Sequence, residues 1–178
     1  MAAGLFAAAA ARVGLDVSVA SAGLLAGGCP APDEVVSVMA DIGLDLSGHR
    51  SQQLDESLLG EAGLVVARTR QHVISVVGDH PQAWPKVFRL HEVLERAAQV
   101  ADRLQGTDLA AWVSRLHAGR KPADILVLDG GQDIADPMGQ RRRAYERTRD
   151  ELAAKVGALA DSMARATSGR PVGPSAPV

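Results

Sequence analysis

Aromatic rings are scarce in this sequence: one tyrosine, two phenylalanines and two tryptophans among 178 residues. Its core must therefore be built mainly from Leu, Val and Ala. Cysteine is scarcer still. Cys29 stands alone, which excludes an internal disulfide framework and any multi-cysteine metal site. A reducing, cytoplasmic setting is the default for such a chain. Neither sign of charge prevails, with 19 Lys and Arg against 21 Asp and Glu and a formal net charge of −2. The basic excess that a nucleic-acid partner calls for is missing. No apolar run reaches the ~18 residues of a membrane span. The opening MAAGLFAAAAARVGL is alanine-rich, but it has no basic n-region and Arg12 interrupts it. It reads as a helix rather than a signal peptide. Neither nucleic acid nor a membrane is expected as a partner.

What is present suits one globular domain. Hydrophobic residues make up 47% of the chain and mean hydropathy is +0.02, a composition that buries a core rather than staying disordered. Helical and strand-like segments alternate, predicting an α/β sandwich with a parallel sheet. Residues 1 to 13 are helix formers and Gly14 sits where a helix stops. Val17 and Val19 mark a short strand ending at Ser21. Pro32 opens a helix with Asp33 and Glu34 in its first turn and Val35, Val38, Met39 and Ile42 along its apolar face. LDESLLGEA reads as a short helix. GLVVA (63 to 67) and KVFRL (86 to 90) read as buried parallel strands, with RQHVISVVGDH as the helix between them. HEVLERAAQVADRL and TDLAAWVSRLHAG read as two helices hinged at Gly106. ILVLDGG reads as an apolar loop. The longest helix runs from Gln140 to about Ala166, with Leu152, Val156, Leu159 and Met163 on one face. The domain is expected to span residues 1–166. Residues 167–178, rich in Pro, Gly and Ser, read as a disordered tail.

Three segments, in order, carry a likeness: MAAGLF with VASAG, then GLDLSGHRSQQL, then DIADPMG followed by AYERTRDEL. Together they resemble the bacterial branch of the low-molecular-weight protein tyrosine phosphatases, a fold shared with some arsenate reductases. The resemblance implies a flavodoxin-like three-layer sandwich, no cofactor and no metal. In that family a C-x5-R-S loop closes the first strand and opens the first helix. Its thiolate attacks phosphorus while backbone N–H groups and the helix N-terminus cradle the phosphate. The arginine grips the equatorial oxygens. An aspartate on a separate D-P loop protonates the leaving phenolate and then helps water hydrolyse the phosphocysteine.

On this likeness the chain begins immediately after the phosphate loop, so the first, internal strand, the nucleophile and the arginine are absent from the sequence given. Such a chain is expected to be inactive, with the start placed at an internal methionine. Asp136, followed by Pro137, matches the general acid. Proline biases the residue before it toward an extended conformation, which projects the carboxylate from its loop; the bland alternative is an ordinary Asp-Pro turn. Asp133 is the nearest rival and Asp129 a weaker one. Ser21 matches a serine that steadies the phosphate loop, or else caps its own turn. Cys29 fails as nucleophile, because six positions on stands Val35 rather than arginine. His49, Arg50 and Ser51 form a structural loop rather than a hydrolase pair, as adjacent residues on an extended loop point apart and no G-x-S-x-G elbow is present. His72 is expected to pack at a helix start. Arg141, Arg142 and Arg143 read as a solvated face that could border an anionic substrate. Met138 stands where animal members carry a tyrosine, so a substrate-clamping aromatic is missing. The implied substrate, once a phosphate loop is present, is a phosphotyrosine protein or a small aryl phosphate. An arsenate reductase and a non-enzymatic remnant or binding module are the alternatives; a single thiol counts against a multi-cysteine relay.

Overall fold

A computed structural model describes residues 1–100, 106–127 and 132–167. Helix α1 spans Ala2–Arg12. Its alanines favour helix strongly, and it buries Leu5 and Ala10. Helix α2 covers Asp33–Ala40 with two acidic residues at its positive end. Helix α3, Glu56–Glu61, starts where the Asp55 side chain accepts a hydrogen bond from the Leu58 N–H.

Strand β1 is Val65–Ala67 and helix α4 is Arg70–Asp79, capped by the Thr69 hydroxyl, which accepts from the His72 N–H. A 3₁₀ turn, Pro81–Lys86, leads into strand β2, Val87–Arg89. The two strands pair in parallel, Val65 with Val87 and Ala67 with Arg89. Helix α5 is Leu90–Val100, α6 is Leu109–His117, α7 is Asp124–Val127 and α8 is Arg142–Thr167.

The apolar face read in the sequence for α8 is the buried one, Leu152, Val156, Leu159 and Met163 included. One core joins α8 to α1, α2, α5 and α6 around Met39, Phe88, Trp112 and Tyr145. A second core lies under α3 and α4 around Val73, Trp84 and Val87.

Three expectations need correction. Residues 17 to 20 are extended, with Val17 and Val19 half-buried in alternation, yet they join no strand ladder among the described residues. A strand exists only where a neighbour takes up its N–H and C=O groups, and β1 is not that neighbour; it pairs with β2 alone. Ile42 lies beyond the end of α2 and is exposed, since the chain turns away at Gly43, whose φ is +78°. Ile125 to Val127 form a helical turn rather than a loop, started where the Lys121 N–H donates to the Asp124 carboxylate at 2.7 Å. The remainder of ILVLDGG, the end of HEVLERAAQVADRL and all but Thr167 of the proposed tail lie outside the described residues.

Candidate active site

The C-terminal ends of both strands meet one loop, residues 132–140. Arg68 follows β1 directly, and its carbonyl accepts from the Ile134 N–H at 3.3 Å. Arg89 ends β2, and its guanidinium donates to Asp133 at 3.2 Å and to the Gln132 side chain at 3.1 Å. Ile134 is buried in the main core. This is the edge where open parallel sheets place their ligands.

Asp136 projects from the loop as the sequence reading expects. Its side chain is 57% exposed, while Pro137 beside it is buried. One carboxylate oxygen accepts from the Arg68 guanidinium at 2.9 Å and the other from the Met138 N–H at 3.0 Å. The Gln140 amide donates to the Asp136 carbonyl at 2.8 Å, closing the turn. The Arg68 hydrogen bond first, and the Met138 N–H second, hold the carboxyl below its usual range. The stability this contributes is present above the ordinary carboxylate pKa and is lost as pH falls through the lower folded value.

The rival carboxylate is turned the other way. One oxygen of Asp133 accepts from the Arg70 N–H at 3.0 Å, at the start of α4, and from Arg89, whose side chain is 2% exposed. Asp133 therefore anchors the loop to the sheet and to α4. His72 lies close by; burial first and the Arg68 charge second push its imidazole pKa down. Asp129 lies outside the described residues.

Other candidates sit apart from this loop. The Ser21 carbonyl accepts from the Gln52 amide at 2.9 Å, and its hydroxyl makes no hydrogen bond among the described residues. Cys29 is exposed, and its N–H donates to the Ser51 hydroxyl at 3.1 Å. It opens no helix, since Pro30 and Pro32 intervene before α2. Ser51 is thus a structural partner of Cys29, and the His49 carbonyl accepts from Arg50 at 2.7 Å, so the segment carries no hydrolase pair. Arg142 is tied to α2, donating to the Ser37 hydroxyl at 2.6 Å and to the Asp41 carboxylate. Among the described residues no cluster of three metal-ligating side chains occurs, and no helix is long and apolar enough to cross a membrane.

Residues 1–109 match the family model for low molecular weight phosphotyrosine protein phosphatases. The chain belongs to that family. It is 36% identical over 118 residues to the probable low molecular weight protein-tyrosine-phosphatase EpsP of Ralstonia nicotianae, covering 57% of this chain and 79% of that protein. It is 30% identical over 153 residues to the protein-arginine-phosphatase of Bacillus subtilis, covering 85% of this chain and 79% of that protein. The crystal structure of a low molecular weight protein tyrosine phosphatase from T. tengcongensis superposes with a TM-score of 0.65 at 28% identity, covering 90% of this chain and 87% of that one. The fold is the flavodoxin-like α/β fold of the family.

Sequence reasoning missed Arg68 and Arg89. The signal was there for Arg89: a charge inside the apolar run KVFRL must find a partner when the strand is buried.

Proposed function

We propose that Asp136 is the general acid of a phosphomonoester hydrolase reaction, donating its proton to the leaving oxygen as the P–O bond to phosphorus breaks. The observation that carries this is its placement: a solvent-facing carboxylate on an Asp-Pro loop held over the C-terminal ends of two parallel strands. Pro137, buried beneath it, keeps the loop from collapsing onto the sheet. Ser21 serves as support for a phosphate loop. The domain that carries this site is residues 1–166.

The reaction also needs a thiolate nucleophile and a phosphate cradle. Cys29 supplies neither, with Val35 at the arginine position and two prolines separating it from the α2 N-terminus. The 178 residues by themselves are therefore expected not to turn over an aryl phosphate, and adding a strand and C-x5-R-S loop before Met1 is expected to supply the missing thiolate and cradle. Among the described residues the edge of β1 away from β2 and the extended residues 17 to 20 have no ladder partner, which supports this, because an inserted strand satisfies both. The test is aryl phosphate hydrolysis at mildly acidic pH by the chain alone and by the chain extended with such a strand and loop. Turnover by the extended protein only is the expected outcome. Turnover by the 178 residues, lost in Cys29→Ser, would make Cys29 the nucleophile.

The leaving group is a tyrosine phenolate in a protein substrate. A second reading, phosphoarginine, is favoured by Met138, which offers no aromatic ring for a phenol to stack on and is 64% exposed. The protein-arginine-phosphatase likeness also spans more of the chain than the EpsP likeness. Comparing phosphotyrosine and phosphoarginine peptides on the extended protein separates the two.

A further inference from the structure

Two arginine–aspartate pairs hold the 132–140 loop, and they differ in kind. In the inner one the Arg89 side chain is 2% exposed, its guanidinium is shared between Asp133 and Gln132, and Asp133 also accepts from the α4 backbone. No incoming anion can take that guanidinium without unfolding the loop's base. In the outer pair Arg68 is 33% exposed, Asp136 is 57% exposed, and among the described residues the Arg68 guanidinium donates to Asp136, at 2.9 Å. An exposed pair of this sort contributes little net stability, so it exchanges readily.

We infer that Arg68 is a positioning residue for Asp136 with an exchangeable hold: it pins the carboxylate while the site is empty and transfers to a phosphoryl dianion when one arrives. This rests on the assignment of Asp136 as the acid. A proton donor that spends its resting state paired to a guanidinium is ionised and cannot donate. A dianion that draws Arg68 away removes the positive charge and adds negative charge nearby, and both changes raise proton affinity. Asp136 then takes a proton from solvent and passes it to the leaving oxygen as the bond to phosphorus breaks. The resulting carboxylate pairs with Arg68 again once phosphate departs. Orientation survives the exchange because the Met138 N–H still holds one carboxylate oxygen and the Arg68 carbonyl still holds the Ile134 N–H. The other charged or titratable groups facing this point are His72 on α4 and Asp133 on the loop itself, the latter neutralised by Arg89.

The experiment is an NMR titration of the Asp136 carboxyl carbon in the 178-residue chain, in Arg68→Lys and in Arg68→Gln. Sulfate is the probe, being a dianion throughout the carboxylate range, with sodium chloride at matched ionic strength as control. Expected are a depressed midpoint in the parent chain, kept in Arg68→Lys and lost in Arg68→Gln. Sulfate, and not chloride, should raise the parent midpoint and move the Arg68 side-chain N–H resonance. It should leave Arg68→Gln unchanged. A parent midpoint indifferent to sulfate overturns the inference even if Arg68→Gln fails to fold, and so does an unaltered sulfate response in a folded Arg68→Gln. No turnover is involved, so an active extended enzyme indifferent to Asp136→Asn would sink the acid assignment without touching this result.

Discussion

At the scale of single residues the second core turns on Arg120. Its side chain is 1% exposed, and it donates to Glu92 at 2.7 Å and to the Trp84 and Val87 carbonyls at 3.1 and 2.9 Å. Its guanidinium also stacks 3.7 Å from the Trp84 ring centroid and 4.0 Å from that of Phe88. Arginine suits this place because it is planar, always charged and weakly hydrated. Arg120→Ala strips donors from two buried carbonyls and leaves Glu92 with Arg96, 3.6 Å away. The expected loss is about 3–5 kcal/mol, the usual cost of removing one partner of a buried pair. A urea melt checks it as a fall in midpoint at unchanged slope. In the sequence, HAGRKP looks like any polar turn. Arg120 could not be found there, because its partners lie 28 and 36 positions away. The exposed loop position of Asp136 is more legible, since its cue is local: proline follows it.

Elements were legible in proportion to their length. Helices α1, α4 and α8 carry a period or a composition that survives tertiary packing, and each lies where the sequence places it. The strands β1 and β2 are only three residues long, and a short apolar run located both. Residues 17 to 20 show the limit of that method. Alternation specifies an extended segment with an inside and an outside face, but pairing depends on what lies alongside, and no local pattern encodes that. The loop before α2 is nonetheless well anchored. Gly27 is packed so closely that a Cβ there would come 2.8 Å from the Gln52 Cα and the Ser51 carbonyl oxygen, and the Gly28 N–H donates to the Ser51 carbonyl at 2.7 Å. The open side of β1 is different. An unpaired strand edge templates association with other chains, and Val66 on that strand is 39% exposed. The 178-residue chain should therefore self-associate in sedimentation velocity runs, and Val66→Lys should reduce this. A monomer at all concentrations in the parent chain would show that the edge is protected.

For the molecule as a whole, two cores share the short sheet. Helix α8 anchors the larger core: Arg12 of α1 pairs with Asp161 at 3.0 Å, and Arg149 donates to the Val38 carbonyl of α2 at 3.0 Å. The smaller core sets β1, α4 and the 3₁₀ turn beneath the loop that carries Asp136. Both strands thus end in arginines that reach the same loop, one buried and fixed, the other exposed and exchangeable. The family model covers residues 1–109, and the proposal that Asp136 supplies the proton rests on the placement of its loop over the strand ends. Asp136→Asn in the phosphate-loop-extended protein is the most direct test, read as kcat for aryl phosphates of rising leaving-group pKa. Slowing by about 10²–10⁴-fold is expected for poor leaving groups, shrinking as the leaving group improves, with Asp133→Asn much less affected. Equal rates for Asp136→Asn and its parent across that series would contradict the assignment of Asp136 as the proton donor.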